Sequence, residues 1–146
     1  MHLEGNSYIR REPQLQRMSE VLSRLRGQTV LAGKAQYGFF ESTCLPAFTE
    51  NRCYLGWTNA EETAGHPDEA QMRQQLNNAF YDGTMTDPVN FLEANGISAV
   101  LVWPDDNLSD ELVNKLKSEL ASGYAYVDCK MDGTANAGVF LKKPDR

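Results

Sequence analysis

Ser98-Ala-Val-Leu-Val-Trp103 is apolar on successive residues after its first position, and that pattern decides the fold class. A strand with one wet face alternates apolar with polar residues, whereas a strand buried on both faces does not need to. The stretch therefore predicts the centre of a sheet covered on both sides. In front of it, Asp87-Pro88 opens a short helix whose Phe91 and Leu92 pack inward, and Asn95-Gly96 supplies a left-handed stop. Behind it, after Pro104-Asp105-Asp106, Ser109 caps a helix with Leu112, Val113, Leu116 and Leu120 on one side, closed by Gly123.

Working outward, residues 1–12 are polar and aperiodic and read as a disordered lead-in, with one α/β domain over residues 13–146. From Pro13 to Arg26 the apolar positions Leu15, Met18, Val21, Leu22 and Leu25 fall three or four apart, an amphipathic helix that Gly27 stops. Thr29-Val-Leu-Ala32 follows as a short strand ended by Gly33. Lys34 to Glu50 reads as a short helix or irregular turn, because Pro46 interrupts its apolar pattern. Arg52 to Trp57 is the next strand, and Asn59 to Gly65 a surface loop. His66-Pro67-Asp68 then starts a helix with Met72, Leu76, Ala79 and Phe80 facing inward and Asp82-Gly83 at its end. Tyr124 to Lys130 and Gly138 to Lys142 form a terminal hairpin about Asp132-Gly133.

Helices alternating with strands imply right-handed crossovers. The expectation is a three-layer α/β/α fold with a mainly parallel sheet of about five strands, and the C-terminal antiparallel hairpin at its edge.

The 146 residues are enough to bury a core without staples. A hydrophobic share of 41% and a charged share of 23% are those of an ordinary globular domain. The apolar run at Ile97 to Trp103 is too short to cross a bilayer, and the opening residues lack the apolar stretch of a secretory signal. A net charge of -6, with no basic runs beyond Arg10-Arg11 and Lys142-Lys143, argues against a nucleic-acid partner. Cys44, Cys53 and Cys129 form no CxxC pair and have no histidine near them, so no metal site is expected and they read as small buried hydrophobes. The spacing of Cys44 and Cys53 also permits a disulfide in an oxidising compartment.

The carboxyl ends of three parallel strands would bring together Gly33 to Gly38, Gly56-Trp57 with its loop, and Trp103 to Asp106. A ligand-binding rim is expected there. Gly33-Lys34-Ala-Gln-Tyr-Gly38 lacks the spacing of a phosphate loop. Asp105 and Asp106, adjacent before a helix, read as solvated acids before a metal pair. Trp57 and Trp103 read as core or as stacking platforms. His66, Glu69 and Arg73 concentrate an imidazole, a carboxylate and a guanidinium; Glu69 and Arg73, four apart, equally suit a plain surface ion pair. With no Ser-His-Asp, Cys-His or nucleophile-elbow pattern, no catalytic residue and no cofactor is assigned.

Tyr54-Leu-Gly56-Trp57, followed by Gly65-His66 and Glu69-Ala-Gln71-Met72-Arg73, resembles a strand ending in Gly-Trp with Gly-His-Glu-x-Gln-Trp-Arg after it. That pattern belongs to the soluble extracytoplasmic tail of multi-pass membrane proteins of the glycosyltransferase-C kind. Phe91-Leu92-Glu-Ala-Asn-Gly96-Ile97-Ser-Ala-Val-Leu-Val102 is similar to the helix-Gly-Ile-strand signature of the same tails. The chain departs from the pattern where Pro67-Asp68 separates His66 from Glu69, where Met72 stands for the tryptophan, and in a longer insert after Trp57.

The resemblance covers about Gln28 to Pro144. It implies a non-catalytic accessory domain tethered to membrane helices on the extracytoplasmic, periplasmic face, in a parent that uses lipid-linked sugar donors. Its partners would be the transmembrane portion of that parent and a lipid-linked sugar or glycan acceptor. Tyr54, Trp57, His66, Glu69 and Arg73 would be the substrate-binding rim. Two other classes stay open: a free-standing, cytoplasmic small-ligand module using Gly33–Gly38 and Asp105-Asp106, and a pure protein-interaction domain.

Overall fold

The apolar run forms β3 (Ile97–Val102), third in a sheet of order β2-β1-β3-β5-β4 and so at its centre. The computed structural model describes residues 16–33, 51–54, 67–131, 133 and 135–144, with the backbone alone at 52, 53, 67–70 and 105. β1 (Thr29–Leu31) pairs parallel with β3 on one side and with β2 (Arg52–Cys53) on the other. On β3's opposite edge lies β5 (Gly138–Lys142), antiparallel to it, and beyond β5 the antiparallel edge strand β4 (Tyr124–Asp128). Because β2 has two residues, four strands carry most of the sheet.

The molecule is α/β, as the alternation predicts, but its sheet is mixed and not mainly parallel. Two ladders are parallel and two antiparallel. The reason is where the terminal hairpin docks. The crossover from β3 to β4 skips one position, and β5 turns back to fill it, so the central strand gains an antiparallel neighbour.

Helix α1, residues 16–22, buries Met18, Val21 and Leu22 and is followed by Gly27 at φ 65°. Buried Asn51 ties that helix's end to β1: its amide donates to the Leu22 and Leu25 carbonyls, and its Oδ1 accepts from the Gln28 N–H at 3.1 Å. α2 (Pro67–Asp82) and α3 (Pro88–Ala94) follow. Asp87 caps α3, accepting from the Asn90 N–H at 3.1 Å, and Gly96 takes the left-handed stop at φ 63°. A 3-10 turn, Pro104–Asp106, leads to α4 (Asp110–Leu120), whose cap Ser109 accepts from the Leu112 N–H.

Two apolar clusters flank the sheet. Leu31, Val100, Val102 and Phe140 pack with Phe80, Leu92, Val113 and Leu116 from α2, α3 and α4. Val30, Ala99, Leu101 and Val139 pack with Met18 and Leu22 of α1, together with Trp103 and Cys129. A register shift between Thr29 and Val30 reverses the alternation beside Ser98, which is how Ile97 joins the helix-covered cluster of Val100.

The α2 face agrees with its apolar spacing at Phe80, which is buried, and Leu76, which packs on the core, and departs from it at Met72. Met72 is 54% exposed, whereas Asn77 and Tyr81 are buried with Phe80. The inward face therefore includes the polar side chains of Asn77 and Tyr81 beside Leu76 and Phe80, and leaves Met72 outside. Cys129 is buried and free, a small hydrophobe as expected; burial, with Asp128 adding repulsion, raises its thiol above the ordinary value. The expectations for residues 1–12, for Lys34 to Glu50, for the Asn59–Gly65 loop and for a Cys44–Cys53 bridge fall outside the described residues and side chains. No helix among the described residues is long and apolar enough to cross a membrane.

One buried hydroxyl gives the fold a measurable pH dependence. Tyr124 donates to the Ile97 carbonyl, and burial, aided by Glu93, pushes its pKa up to about 12. Burial moves the Tyr126 hydroxyl in the same direction. In the unfolded chain tyrosine titrates near pH 10, so above that pH the unfolded state loses a proton that the folded state keeps. The stabilisation is complete below pH 10 and declines as pH rises toward 12, by about 2 kcal/mol for Tyr124. Urea unfolding between pH 9 and 11 should show this decline, shallower in Tyr124→Phe. An equal decline in the variant would contradict the assignment.

Candidate functional site

The parallel order β2-β1-β3 places a topological switch point between the carboxyl ends of β1 and β3. α2 crosses those ends. Arg73 Nη1 donates to the Tyr54 carbonyl just after β2, at 3.1 Å. One turn on, Asn77 Nδ2 donates to the Gly33 carbonyl just after β1, at 2.8 Å. A further turn on, the Tyr81 hydroxyl accepts from the Gly33 N–H at 2.9 Å and donates between the Leu101 carbonyl at 2.7 Å and the Leu31 carbonyl at 3.2 Å. Residues four apart share one helix face. Arg73, Asn77 and Tyr81 thus lie in a row that meets β2, β1 and β3 in their spatial order.

The physical reason is carbonyl and amide supply. Strands that end at a buried rim leave backbone groups without ladder partners, and such groups cost about 1–3 kcal/mol each when unsatisfied. A helix with an apolar stripe alone could not serve them. Asn77 shows the balance: its amide nitrogen serves Gly33, while its equally buried Oδ1 has no hydrogen-bond partner among the described residues.

Of the five rim residues expected from the sequence, the structure brings Tyr54 and Arg73 together. The Arg73 guanidinium carbon lies 5.2 Å from the Tyr54 ring centroid, over its face. Tyr54 is buried; its N–H continues the β1 ladder to the Val30 carbonyl at 2.9 Å, and Phe91 meets its ring edge-on at 5.5 Å. Arg73 is half-buried. A planar cation is therefore held on an aromatic ring that is itself fixed by core and sheet. Glu69 stands one turn before Arg73 in the first part of α2, where the backbone alone is described; Trp57 and His66 lie outside the described residues. Such an arrangement can bind and orient a ligand.

At the end of β1 the described backbone groups are already engaged by the chain. Gly33, at φ 97°, gives its N–H to Tyr81, and a Cβ at this position would stand 2.8 Å from an Asp106 carboxylate oxygen. Asp106 is buried, not solvated. An anionic phosphate at Gly33 would meet that carboxylate and find the amide already engaged. Trp103 is core and not a stacking platform. Among the described residues there is no group of three or more metal-ligating side chains.

Asn77 and Tyr81 are the rim residues that sequence reasoning missed. Their signal was the spacing of four that links them to Arg73. No protein-family model, no curated protein and no solved structure matches the chain.

Proposed function

We propose that the chain is a non-catalytic accessory domain of a multi-pass membrane glycosyltransferase-like protein, on the extracytoplasmic face, that positions substrate or gates the membrane-embedded active site. The observation that carries this reading is the seating of Arg73 on Tyr54 at the end of β2. It brings the Arg73 guanidinium and the Tyr54 ring together at the β2 edge of the sheet. In this reading Trp57, His66 and Glu69 complete the rim, and the apolar clusters on either side of the sheet make a three-layer sandwich that holds it rigid. The membrane-embedded part of the parent, and a lipid-linked sugar or glycan acceptor, are its partners.

The engaged Gly33 N–H and the Asp106 carboxylate beside it weigh against the free-standing nucleotide-like alternative. A guanidinium suits the reading because its fixed fork of N–H donors matches phosphate and carboxylate oxygens, which lysine does not reproduce. In membranes carrying the parent protein, Arg73→Ala and Trp57→Ala should each lower sugar transfer by about tenfold or more, the loss of one oriented contact. Arg73→Lys should recover only part of it. The isolated domain bearing Arg73→Ala should keep its cooperative unfolding. Wild-type transfer by both alanine variants would overturn the reading, as would a parent reading frame that encodes no membrane spans.

A further inference from the structure

On the far side of β3 from the rim, α4 and β4 enclose a half-open cleft of about 160 Å³. We propose that this cleft binds one neutral sugar residue, the end of a glycan, separately from the Tyr54–Arg73 rim. It deepens the accessory-domain reading, on which it rests only for the presence of a glycan.

Part of the cleft's lining is ordered by contacts within the fold. Its wall includes the Tyr126 ring, which lies across Gly138 so closely that no Cβ would fit beneath it. Lys117 Nζ sits over that ring, 4.8 Å from its centroid. Asn136 is fixed by two bonds from its Nδ2, to the Leu108 carbonyl at 2.8 Å and to Asp110 Oδ1 at 2.9 Å. Asp128 is oriented by the Lys130 N–H, which donates to its Oδ1 at 2.9 Å. Asn136, Asp110 and Asp128 are thereby oriented by hydrogen bonds within the fold, which lowers the ordering cost of binding.

Their chemistry selects the ligand class. Each hydroxyl of a polyol is at once a donor and an acceptor, so it is best met by donors and acceptors interspersed. The lining supplies ammonium and amide donors from Lys117 and Asn114, and carboxylate acceptors from Asp110 and Asp128. Two carboxylates against one ammonium disfavour phosphates and other anions. The volume is below the roughly 300–1,000 Å³ of sites that enclose drug-sized ligands, and fits a single ring left partly in solvent.

The test is a two-dimensional NMR titration of the full 146-residue chain with the methyl glycosides of glucose, galactose and mannose, each to about 50 mM. At least one glycoside should give saturable shifts at the amides of Asn114, Lys117, Tyr126 and Asn136, with a Kd on the order of millimolar. Asp128→Asn, which keeps the oxygen that Lys130 needs, and Lys117→Met should each weaken binding about fivefold or more. Arg73→Ala should leave the titration unchanged, so a failed rim and a failed cleft give different results. No saturable shift with any glycoside, equal binding by both cleft variants, or equal or stronger response to glycine or inorganic phosphate would overturn the proposal.

Discussion

Tyr81→Phe lowers the stability of the domain by about 2–3 kcal/mol, with its midpoint of thermal unfolding falling by roughly 5–10 °C. The substitution keeps the ring, its edge-on contact with Phe80 at 5.2 Å and its place in the apolar cluster. It removes a single oxygen. That oxygen serves three backbone groups, the Gly33 N–H and the Leu31 and Leu101 carbonyls, at a site with no measurable solvent exposure of the side chain. A carbonyl retains a second lone pair for other partners, but an N–H has one chance to bond. The stranded Gly33 amide therefore dominates the cost. Urea unfolding should show a lower midpoint at unchanged slope, and amide exchange at Gly33 should accelerate beyond the change in global stability. A loss below about 0.5 kcal/mol, within the scatter of ordinary surface changes, would mean that the row along α2 does not secure the strand ends.

The prediction also explains which parts of the fold the sequence disclosed. The centre of the sheet was readable because Val100, Leu101 and Val102 face alternate sides and all three are apolar. Helix limits were readable where one side chain or one backbone angle sets them: Asp87 and Ser109 at starts, Gly83 and Gly96 at ends. The mixed sheet was not readable. Whether β4 or β5 pairs with β3 depends on which position the crossover leaves empty, and no residue of the hairpin records that choice. The α2 face was legible at Leu76 and Phe80 but not at Met72, for a different reason. Apolar spacing favours Met72, Leu76, Ala79 and Phe80, but the strand ends require hydrogen-bond donors, and that requirement exists only once the strands are placed. Hence Asn77 is buried and Met72 is not. Tyr54 and Arg73 were findable because their residue types and order form a pattern. The cleft beside β4 was not, since Lys117, Asp128 and Asn136 meet only through the register of the hairpin with α4.

Gly138→Ala is expected to destabilise the domain by about 2 kcal/mol, although two general effects act the other way. Replacing glycine restricts the unfolded chain and is worth about 0.4–1 kcal/mol of stability where the backbone tolerates alanine, and alanine also suits a strand better. Against them stands overpacking, which costs about 1–3 kcal/mol. In the hairpin register Tyr126 faces Phe140 and Asp128 faces Gly138, so the Tyr126 ring reaches diagonally across to cover the glycine. An alanine Cβ would fall well inside contact distance of its hydroxyl and 2.7 Å from Cε1. The ring cannot yield cheaply, because it packs on Phe140 at 4.6 Å and has Lys117 over its face. A double-mutant cycle isolates the cause. In a Tyr126→Ala background the obstruction is gone, and Gly138→Ala should become neutral or mildly stabilising. An equal loss in both backgrounds would place the cost in the backbone of β5, and Gly138 would then have no part in shaping the cleft wall.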